Sequence, residues 1–333
     1  MKKIRWGVLG AAKIAVEKVI PAMQQGSLTE VAALASRDLP KARSAAAKLG
    51  IPKAYGSYED LLADPEIDAV YNPLPNHLHV PWSILAAEAG KHVLCEKPIA
   101  LSAAQARTLI AARDRTGVKI GEAFMARSNP LWLRAREIVQ SGAIGPLRVV
   151  GGFFSYFNRD PHNVRQKPEW GGGALLDIGC YPVTLSRLLF GEEPLRVMGL
   201  IERDPDFGID RLTSAMLEYS SGQCLFNCSM QLVPYQRMQL FGTKGRVEVE
   251  IPFNAPPDRP NRLFVDDGSS VFGDGIRIEE LPVANQYTVQ GDLFARAILE
   301  GGPEPTTLED AVQNMAVLEA IFRSAETGRW EKP

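Results

Sequence analysis

The chain has 333 residues, of which 45% are hydrophobic and 23% charged, with a formal net charge of -2. This length and composition indicate a globular protein of two domains and give no support for nucleic acid as a partner. The four scattered cysteines exclude a disulfide-dense framework, and the absence of a signal-peptide pattern or of a run of about 18 apolar residues favours a cytoplasmic protein with no membrane span.

From residue 4 to about residue 123, short apolar runs alternate with amphipathic segments, a pattern typical of βα units on a parallel sheet. Strands are predicted at residues 4–9, 31–35, 69–72, 93–95 and 119–123, with helices at 14–25, 39–49 and 83–89. Gly50 and Gly90 stand where glycines end helices. We therefore predict an α/β fold that begins with a doubly wound parallel sheet, a Rossmann dinucleotide-binding domain, over residues 1–125.

Beyond residue 125 the pattern changes to a predicted helix at 131–141 followed by alternating segments at 147–158, 195–203, 214–219, 223–231 and 237–242. Such alternation favours a large, mostly antiparallel open sheet. Loops are predicted at 252–260 and 267–275, and helices at 289–300 and 308–327, the last opened by a Thr307-x-x-Asp310 capping pattern. Residues 126–333 are thus predicted to form an α+β domain for substrate binding and oligomerisation, whose last helix can pack back on the first domain.

Cys224 and Cys228 fall on one predicted strand, residues 223–231. Their Cα atoms would be about 13 Å apart at the rise of a strand, too far to share one zinc ion. We expect no metal site. An outer sheet face that is apolar would need a partner, so at least a homodimer is expected.

The segment from Gly7 to Ala15 follows the first predicted strand, where dinucleotide folds place their phosphate-binding turn. Gly10 holds the first glycine position of G-x-G-x-x-G, but alanine stands in the other two. The motif is weak, since ordinary αβ connections use the same residues. If the turn binds a cofactor, the contacts come from its consecutive residues, which are Gly10, Ala11, Ala12, Lys13 and Ile14.

The end of the second predicted strand bears on the choice of cofactor. Ser36 and Arg37 stand where an acid would bind the 2′-hydroxyl of NAD, and a hydroxyl beside an arginine suits the 2′-phosphate of NADP. Asp38 follows and either serves as that acceptor or caps the next helix. NADP is favoured, with NAD as the alternative.

Three segments carry a resemblance: residues 71–79, with Asn-His-Leu-His at their end, residues 90–98, with Glu-Lys-Pro, and residues 170–182, with Gly-Gly-Gly-Ala-Leu-Leu-Asp-Ile-Gly-Cys-Tyr. Together with the first turn, they closely resemble the glucose-fructose oxidoreductase and inositol dehydrogenase (Gfo/Idh/MocA) family, in its branch of sugar and dihydrodiol dehydrogenases. The likeness extends over nearly the whole chain. It implies a NAD(P)-dependent dehydrogenase or reductase acting on a CH–OH group of a sugar, anhydro-sugar or polyol.

Lys97 follows the end of a predicted strand, where ligands bind in doubly wound sheets, and Pro98 fixes the backbone beside it. Tyr181 follows Asp177 by four residues, which share a face if the segment is helical. Our hypothesis makes Tyr181 the general base for the substrate hydroxyl, with Lys97 favouring its phenolate and stabilising charge on the same oxygen, while Asp177 positions the substrate. The alternatives are a solvated lysine and a buried aromatic ring with a capping aspartate.

The resemblance also implies cofactor contacts outside the first turn. It places Leu74, Asn76 and His79 at the nicotinamide ribose and ring, and Glu96 beneath the cofactor. Arg127 and Arg165 are weaker candidates for ligand or domain-interface contacts, with Arg127 counted among the cofactor-binding set. A cis peptide is expected at Lys97-Pro98.

Two rival functions remain on this fold. One is a non-catalytic, cofactor-dependent regulator, against which Lys97 and Tyr181 argue. The other is an NAD-dependent glycoside hydrolase, which oxidises its substrate transiently and would release a glycan leaving group without net reduction.

Overall fold

The computed structural model describes residues 2–333. Contacts between Cα atoms divide the chain into two compact units. The first runs to Met125 and includes Asn285–Val312, and the second comprises Ala126–Ala284 with Gln313–Pro333. The division differs from the predicted limits, 1–125 and 126–333, by the C-terminal segment that joins the first unit.

The first unit contains a six-stranded sheet of parallel strands in the order β3-β2-β1-β4-β5-β6. This is the strand order of the Rossmann fold, as predicted, and its order reverses between β1 and β4, where such sheets bind ligands. The strands are β1 (Ile4–Leu9), β2 (Thr29–Ala35), β3 (Lys53–Tyr55), β4 (Ala69–Asn72), β5 (His92–Glu96) and β6 (Ile120–Ala123).

Over residues 2–333 the structure contains α-helices where six were predicted and three more that were not. The first predicted helix, 14–25, is in fact a π-helical turn, Ala15–Val19, followed by a short α-helix, because Pro21 lacks the N–H of a regular α-helical bond. The α-helices are α1 (Ile20–Met23), α2 (Leu39–Leu49), α3 (Tyr58–Ala63), α4 (His79–Glu88), α5 (Ala103–Thr116), α6 (Pro130–Gln140), α7 (Cys180–Phe190), α8 (Gln286–Glu300) and α9 (Leu308–Thr327). The three that were not predicted are α3, α5 and α7.

Helix α8 completes the core of the first unit although it lies far along the chain. The ring of Phe294 packs against Trp6 of β1 with centroids 5.8 Å apart, and both side chains are fully buried. At the same place the carboxylate of Asp292 accepts hydrogen bonds from the backbone N–H groups of Ser27 and Leu28, each at 2.9 Å. The start of β2 is therefore tied to α8 by both apolar and polar contacts.

The second unit contains an eight-stranded sheet in the order β14-β13-β12-β11-β7-β10-β9-β8. Its neighbours are antiparallel except β7 and β10, which are parallel. This confirms the mostly antiparallel sheet, although β12 to β14 were not predicted. The strands are β7 (Leu147–Phe157), β8 (Arg196–Arg203), β9 (Asp210–Glu218), β10 (Gln223–Ser229), β11 (Gln231–Gly242), β12 (Arg246–Val249), β13 (Asn261–Asp266) and β14 (Ile276–Leu281).

The two faces of this sheet differ in exposure. One face is a buried row in register across six strands: Leu217, Cys224, Val150, Leu240, Val247 and Val265. The opposite face leaves large apolar side chains exposed: Leu200, Leu225, Tyr235 and Ile278. Within this unit, the second face lacks the cover that the first one has.

The segment Pro168–Phe190 has the length and apolar composition of a membrane-spanning helix. However, 89% of its most apolar window is buried inside the protein, which is the environment of a core helix. No second segment of residues 2–333 meets the same two criteria.

Candidate active site

The turn after β1 is built around Gly10, whose φ of +97° favours glycine. A Cβ atom at Gly10 would lie 3.1 Å from Cδ2 of Leu74 and 3.6 Å from the hydroxyl of Tyr58. The turn thus lies against the loop that follows β4, at the point where the strand order reverses. Ala11 and Ala12 are half-buried, whereas the two residues after them, Lys13 and Ile14, are exposed.

The residues at the end of β2 comprise a buried serine, an exposed arginine and a helix cap. Ser36 is buried and its Oγ accepts a hydrogen bond from the backbone N–H of Asp38 at 3.3 Å. Asp38 in turn caps α2, since its Oδ1 accepts from the N–H of Lys41 at 3.0 Å. Arg37 is exposed, and its charge acts on Tyr58, whose pKa is raised by burial. Of the two roles weighed for Asp38, the structure shows the cap.

His79 begins α4 and connects two loops. Its Nδ1 lies 2.7 Å from the carbonyl oxygen of Pro98, and its Nε2 lies 2.7 Å from that of Leu74. The ring is buried, and burial lowers its pKa to about 4. Because both ring nitrogens face backbone carbonyls, the structure gives His79 a supporting position, and its predicted contact with a cofactor stays a prediction. Asn76, in the 3-10 turn just before it, is half-buried.

The segment Glu96-Lys97-Pro98 leaves the end of β5. The Lys97-Pro98 peptide is cis, as predicted. Glu96 Oε1 accepts a hydrogen bond of 2.6 Å from the hydroxyl of Tyr71, and Glu96 Oε2 accepts one of 3.3 Å from the N–H of Lys97. Burial first, and then the Glu96 carboxylate, raise the pKa of Tyr71. The carboxylate of Glu96 therefore holds the backbone of Lys97, and its partner Tyr71 was not among the predicted site residues.

In the second unit, one carboxylate oxygen of Asp177 is contacted by two donor side chains. Asp177 Oδ2 lies 2.5 Å from the hydroxyl oxygen of Tyr156, which donates to it, and 2.8 Å from Nε of Arg165. The Asp177 charge raises the pKa of Arg165, and burial followed by that charge raises the pKa of Tyr156. Arg165 was a weak candidate from the sequence, and Tyr156 on β7 was not a candidate.

Tyr181 lies in the first turn of α7, directly after the π-helical turn Leu175–Gly179 that holds Asp177. The segment is therefore helical despite Gly179 and Pro182. Its π-helical turn is wider than the α-helical turn on which Asp177 and Tyr181 were predicted to share a face. The ring of Tyr181 is buried against Phe154 and Phe253, with centroids 5.7 and 5.2 Å away. The pKa of Arg165 is raised mainly by the charge of Asp177 and to a smaller extent by Tyr181.

The glycine run before this helix is needed for packing. A Cβ atom at Gly172 would lie 2.4 Å from the carbonyl oxygen of Arg165, and one at Gly173 would lie 1.9 Å from Oδ1 of Asp210. Asp210 is buried, its Oδ2 accepts from the N–H of Leu175 at 2.6 Å, and burial raises its pKa to about 7. The two glycines therefore let the backbone before the helix lie directly against Arg165 and Asp210.

The remaining candidates lie within the second unit. Nη1 of Arg127 donates to Oγ1 of Thr184 at 3.2 Å, so its predicted contact with a cofactor stays a prediction. Cys224 and Cys228 both lie on β10, as predicted, and are buried. A cavity of about 420 Å3 lies apart from all predicted site residues. Its lining includes Glu250, Arg259, Asn261, Arg262 and Glu280.

The strand order of the first unit is that of dinucleotide-binding sheets, and the chain carries a lysine at the end of β5 and, in its second unit, an aspartate and a tyrosine on one helical segment. These features are typical of nicotinamide-dependent oxidoreductases. Family models agree: residues 4–124 match the oxidoreductase family with an NAD-binding Rossmann fold, and residues 132–248 match the GFO/IDH/MocA C-terminal domain. The chain belongs to the GFO/IDH/MocA family of oxidoreductases.

Relatives span the full length of the chain. An uncharacterised oxidoreductase of Rhizobium meliloti is 48% identical over 99% of both chains. The D-xylose 1-dehydrogenase (NADP(+)) 2 of Haloferax volcanii is 39% identical over 97% of this chain and 98% of its own. Among solved structures, the 3-ketoreductase KijD10 of Actinomadura kijaniata, in complex with NADP and TDP-benzene, has a TM-score of 0.90 and 29% identity over 97% of this chain and 98% of its own.

Proposed function

We propose that this protein is an NADP(H)-dependent oxidoreductase that acts on a carbinol or carbonyl carbon of a sugar, anhydro-sugar or related polyol. The observation that carries the proposal is the end of β2, where Arg37 is exposed beside Ser36 while the nearby Asp38 is used as a helix cap. A cation and a hydroxyl suit the 2′-phosphate that distinguishes NADP from NAD. A relative named as an NADP-dependent xylose dehydrogenase and a neighbour in complex with NADP support the same choice.

The residues of the first unit fit such a cofactor. At Gly10 the turn lacks the Cβ that would meet Leu74, which lets a phosphate approach the backbone. In this proposal the residues from Gly10 to Ile14 hold the pyrophosphate, Ser36 and Arg37 hold the 2′-phosphate, and Leu74 and Asn76 contact the nicotinamide end. When bound, NADP(H) accepts or supplies a hydride at C4 of its nicotinamide.

The protein's own groups then handle the proton and the charge. Tyr181, as its phenolate, accepts the proton of the substrate hydroxyl during oxidation and returns it during reduction. The ammonium of Lys97 stabilises negative charge on the reacting oxygen. Asp177 contributes by fixing Arg165 and Tyr156, with which it shares Oδ2.

A substrate screen tests this proposal. Aldoses, inositols and anhydro-sugars are offered with NADP+ and with NAD+, and the absorbance of the reduced nicotinamide is followed. We expect turnover of at least one sugar, with a higher kcat/KM for NADP+. Absence of turnover with every polyol would support a regulator instead, and release of a glycan leaving group without net reduction would indicate the hydrolase.

We also propose that the protein is at least a homodimer that works in the cytoplasm. The exposed apolar face of the second unit supports association, since Leu200 is 74% and Leu225 40% exposed on neighbouring parts of it. The free, buried thiols of all four cysteines fit a reducing compartment.

Light scattering at micromolar concentration tests the assembly. The wild-type protein should have at least twice the mass of one chain, and the double variant Leu200→Asp, Leu225→Asp should dissociate. Val271→Asp is the control, since Val271 is 95% exposed in the loop before β14 and not on the sheet face. A monomeric wild-type protein would contradict the proposal.

A further inference from the structure

Arg165 is held at its head group but remains accessible. Its Nε lies 2.8 Å from Asp177 Oδ2, the oxygen that also accepts a hydrogen bond from the hydroxyl of Tyr156. A guanidinium has five N–H donors, more than this shared oxygen can accept. Since 42% of the side chain of Arg165 is exposed, part of its hydrogen-bonding capacity faces solvent and is available to a ligand.

The backbone of Arg165 is fixed as firmly as its head group. Its N–H donates to Oδ1 of Asn163 at 3.0 Å, and its carbonyl oxygen accepts from the N–H of Gly173 at 3.0 Å. Gly172 packs so closely on this carbonyl that a Cβ there would lie 2.4 Å away. An arginine fixed at both ends loses little conformational entropy when it binds a ligand, which is how binding groups are preorganised.

Arg165 is also linked to the segment that holds the proposed general base. The carboxylate of Asp177, 2.8 Å from Arg165, lies in the helical turn just before Tyr181. A substrate oxygen that reaches Tyr181 therefore brings neighbouring substrate groups near Arg165. This juxtaposition lies entirely within the second unit.

The charges around Arg165 indicate what kind of group it binds. Arg165 and Asp177 form a pair without net charge, so the guanidinium offers directed N–H donors while the carboxylate offsets its attraction for anions. A neighbouring arginine, Arg159, is likewise engaged by acids, with contacts of 3.4 Å to Asp204 and 2.6 Å to Asp206. A neutral hydroxyl oxygen can accept from Arg165, whereas a phosphate would also be repelled by Asp177.

We propose that Arg165, held by Asp177, binds a hydroxyl group of the substrate and that this neutral pair selects uncharged sugars over phosphorylated or nucleotide-linked ones. The inference rests on the proposed oxidoreductase function. It makes Arg165 a specificity-determining residue and gives Asp177 the part of a positioning residue, which acts on the substrate through Arg165.

The first arm of the test is Arg165→Gln, assayed with the aldose that the wild-type enzyme turns over. Loss of a charge-assisted hydrogen bond should raise KM for the sugar by about 10- to 100-fold, with a smaller effect on kcat and no effect on NADP+ affinity. Arg165→Lys keeps the charge but not the planar fork, so it should recover part of the loss. Arg159→Gln is the matched control, because its side chain is equally exposed, at 42%, and should leave KM unchanged.

The second arm is Asp177→Asn, which leaves Arg165 with an uncompensated positive charge. The ratio of kcat/KM for an aldose phosphate to that for the parent aldose should rise at least about tenfold over wild type, a difference of about 1.4 kcal/mol. A ratio is the proper readout, since a general loss of activity lowers both of its terms. A structural role alone would not change it.

The outcomes separate the two proposals. A wild-type enzyme that turns over no sugar refutes the proposed function itself. If it turns over sugars, the inference fails when it prefers the phosphate, when Arg165→Gln leaves KM unchanged, or when Asp177→Asn leaves the ratio unchanged. Thermal melts establish folding of each variant, and should Arg165→Gln unfold, the KM of Arg165→Lys and the Asp177→Asn ratio decide.

Discussion

The two units fix their candidate site residues by different means. In the first unit, His79 and Lys97 are held through backbone groups: His79 faces the carbonyl oxygens of Leu74 and Pro98, and Glu96, which also accepts from the hydroxyl of Tyr71, accepts from the N–H of Lys97. In the second unit, Asp177 and Arg165 meet through their side chains, with Tyr156 as a third partner.

This difference in the kind of contact predicts how each unit responds to substitutions. Contacts to the backbone set the course of a loop, so their loss should displace several residues together. Contacts between ionised side chains set the charge itself, so their loss should alter selectivity and the response to pH. Substitutions in the two units should therefore fail in different ways.

The largest expected effect comes from the two proposed reacting groups, one in each unit. Tyr181→Phe keeps the ring that packs on Phe154 and Phe253, so cofactor affinity should persist while turnover falls by about 10²–10⁴. Lys97→Met should be at least as damaging. Single-turnover hydride transfer and NADP+ binding are the measurements.

The double variant Lys97→Met, Tyr181→Phe sharpens this comparison. If the two groups act as one unit, it should lose little beyond the worse single variant, since coupled catalytic residues are strongly non-additive. Additive losses would mean that each residue acts independently. Hydride transfer near the wild-type rate in Tyr181→Phe would assign the proton to another residue, with Lys97 the next candidate.

The next effect concerns the stability of the second unit. Gly173→Ala should lower the free energy of unfolding by more than about 3 kcal/mol, because the residue has φ +114° and its Cβ would collide with Asp210. Gly191→Ala is the control: φ is +70° there, but nothing lies within 4 Å, and about 1 kcal/mol is expected. Chemical denaturation measures both, and equal losses would mean that the collision is relieved.

A smaller effect is expected at the cofactor end of the first unit. Arg37→Ala should weaken NADP+ binding by about 1.5–3 kcal/mol and leave NAD+ nearly unaffected, because only NADP carries the 2′-phosphate. Titration calorimetry with both cofactors gives the two values. Equal losses would place Arg37 away from the 2′-phosphate.

The smallest effect is a pH dependence in the second unit. Burial raises the pKa of Asp210 from 3.8 to about 7, so between these values the folded protein keeps a proton that the unfolded chain releases. Stability from this group therefore falls as pH rises. Asp210→Asn removes the titration, and its unfolding free energy relative to wild type should increase by about 1.4 kcal/mol from pH 5 to pH 6. A difference that is constant with pH would show that Asp210 does not titrate in this range.

The sequence predicted the elements with strong periodicity. The bounds of β1 and α2 are as predicted, and Thr307 caps the last helix through a 3.3 Å bond to the N–H of Asp310. Strand β3 was missed because its three residues are too few for an alternation to be visible. In β14, charged residues interrupt the apolar pattern, as is common on an edge strand.

The candidate site was only partly predictable. Lys97 and Asp177 belong to motifs that are continuous in the sequence, so they could be singled out. Tyr156 and Asp210 could not, because each meets its partner only when a strand packs against the helix near residue 175. Long-range contacts of this kind leave no local pattern in a single sequence.

The position of α8 in the chain has a consequence for synthesis. During translation the strands of the first unit emerge early, yet Phe294, which covers Trp6, emerges only after the whole of β7 to β14. A nascent chain that stops at residue 125 would leave that indole uncovered and the N–H groups of Ser27 and Leu28 without Asp292. The first unit is therefore synthesised first, but its core is complete only after α8 has been synthesised near the end of the chain.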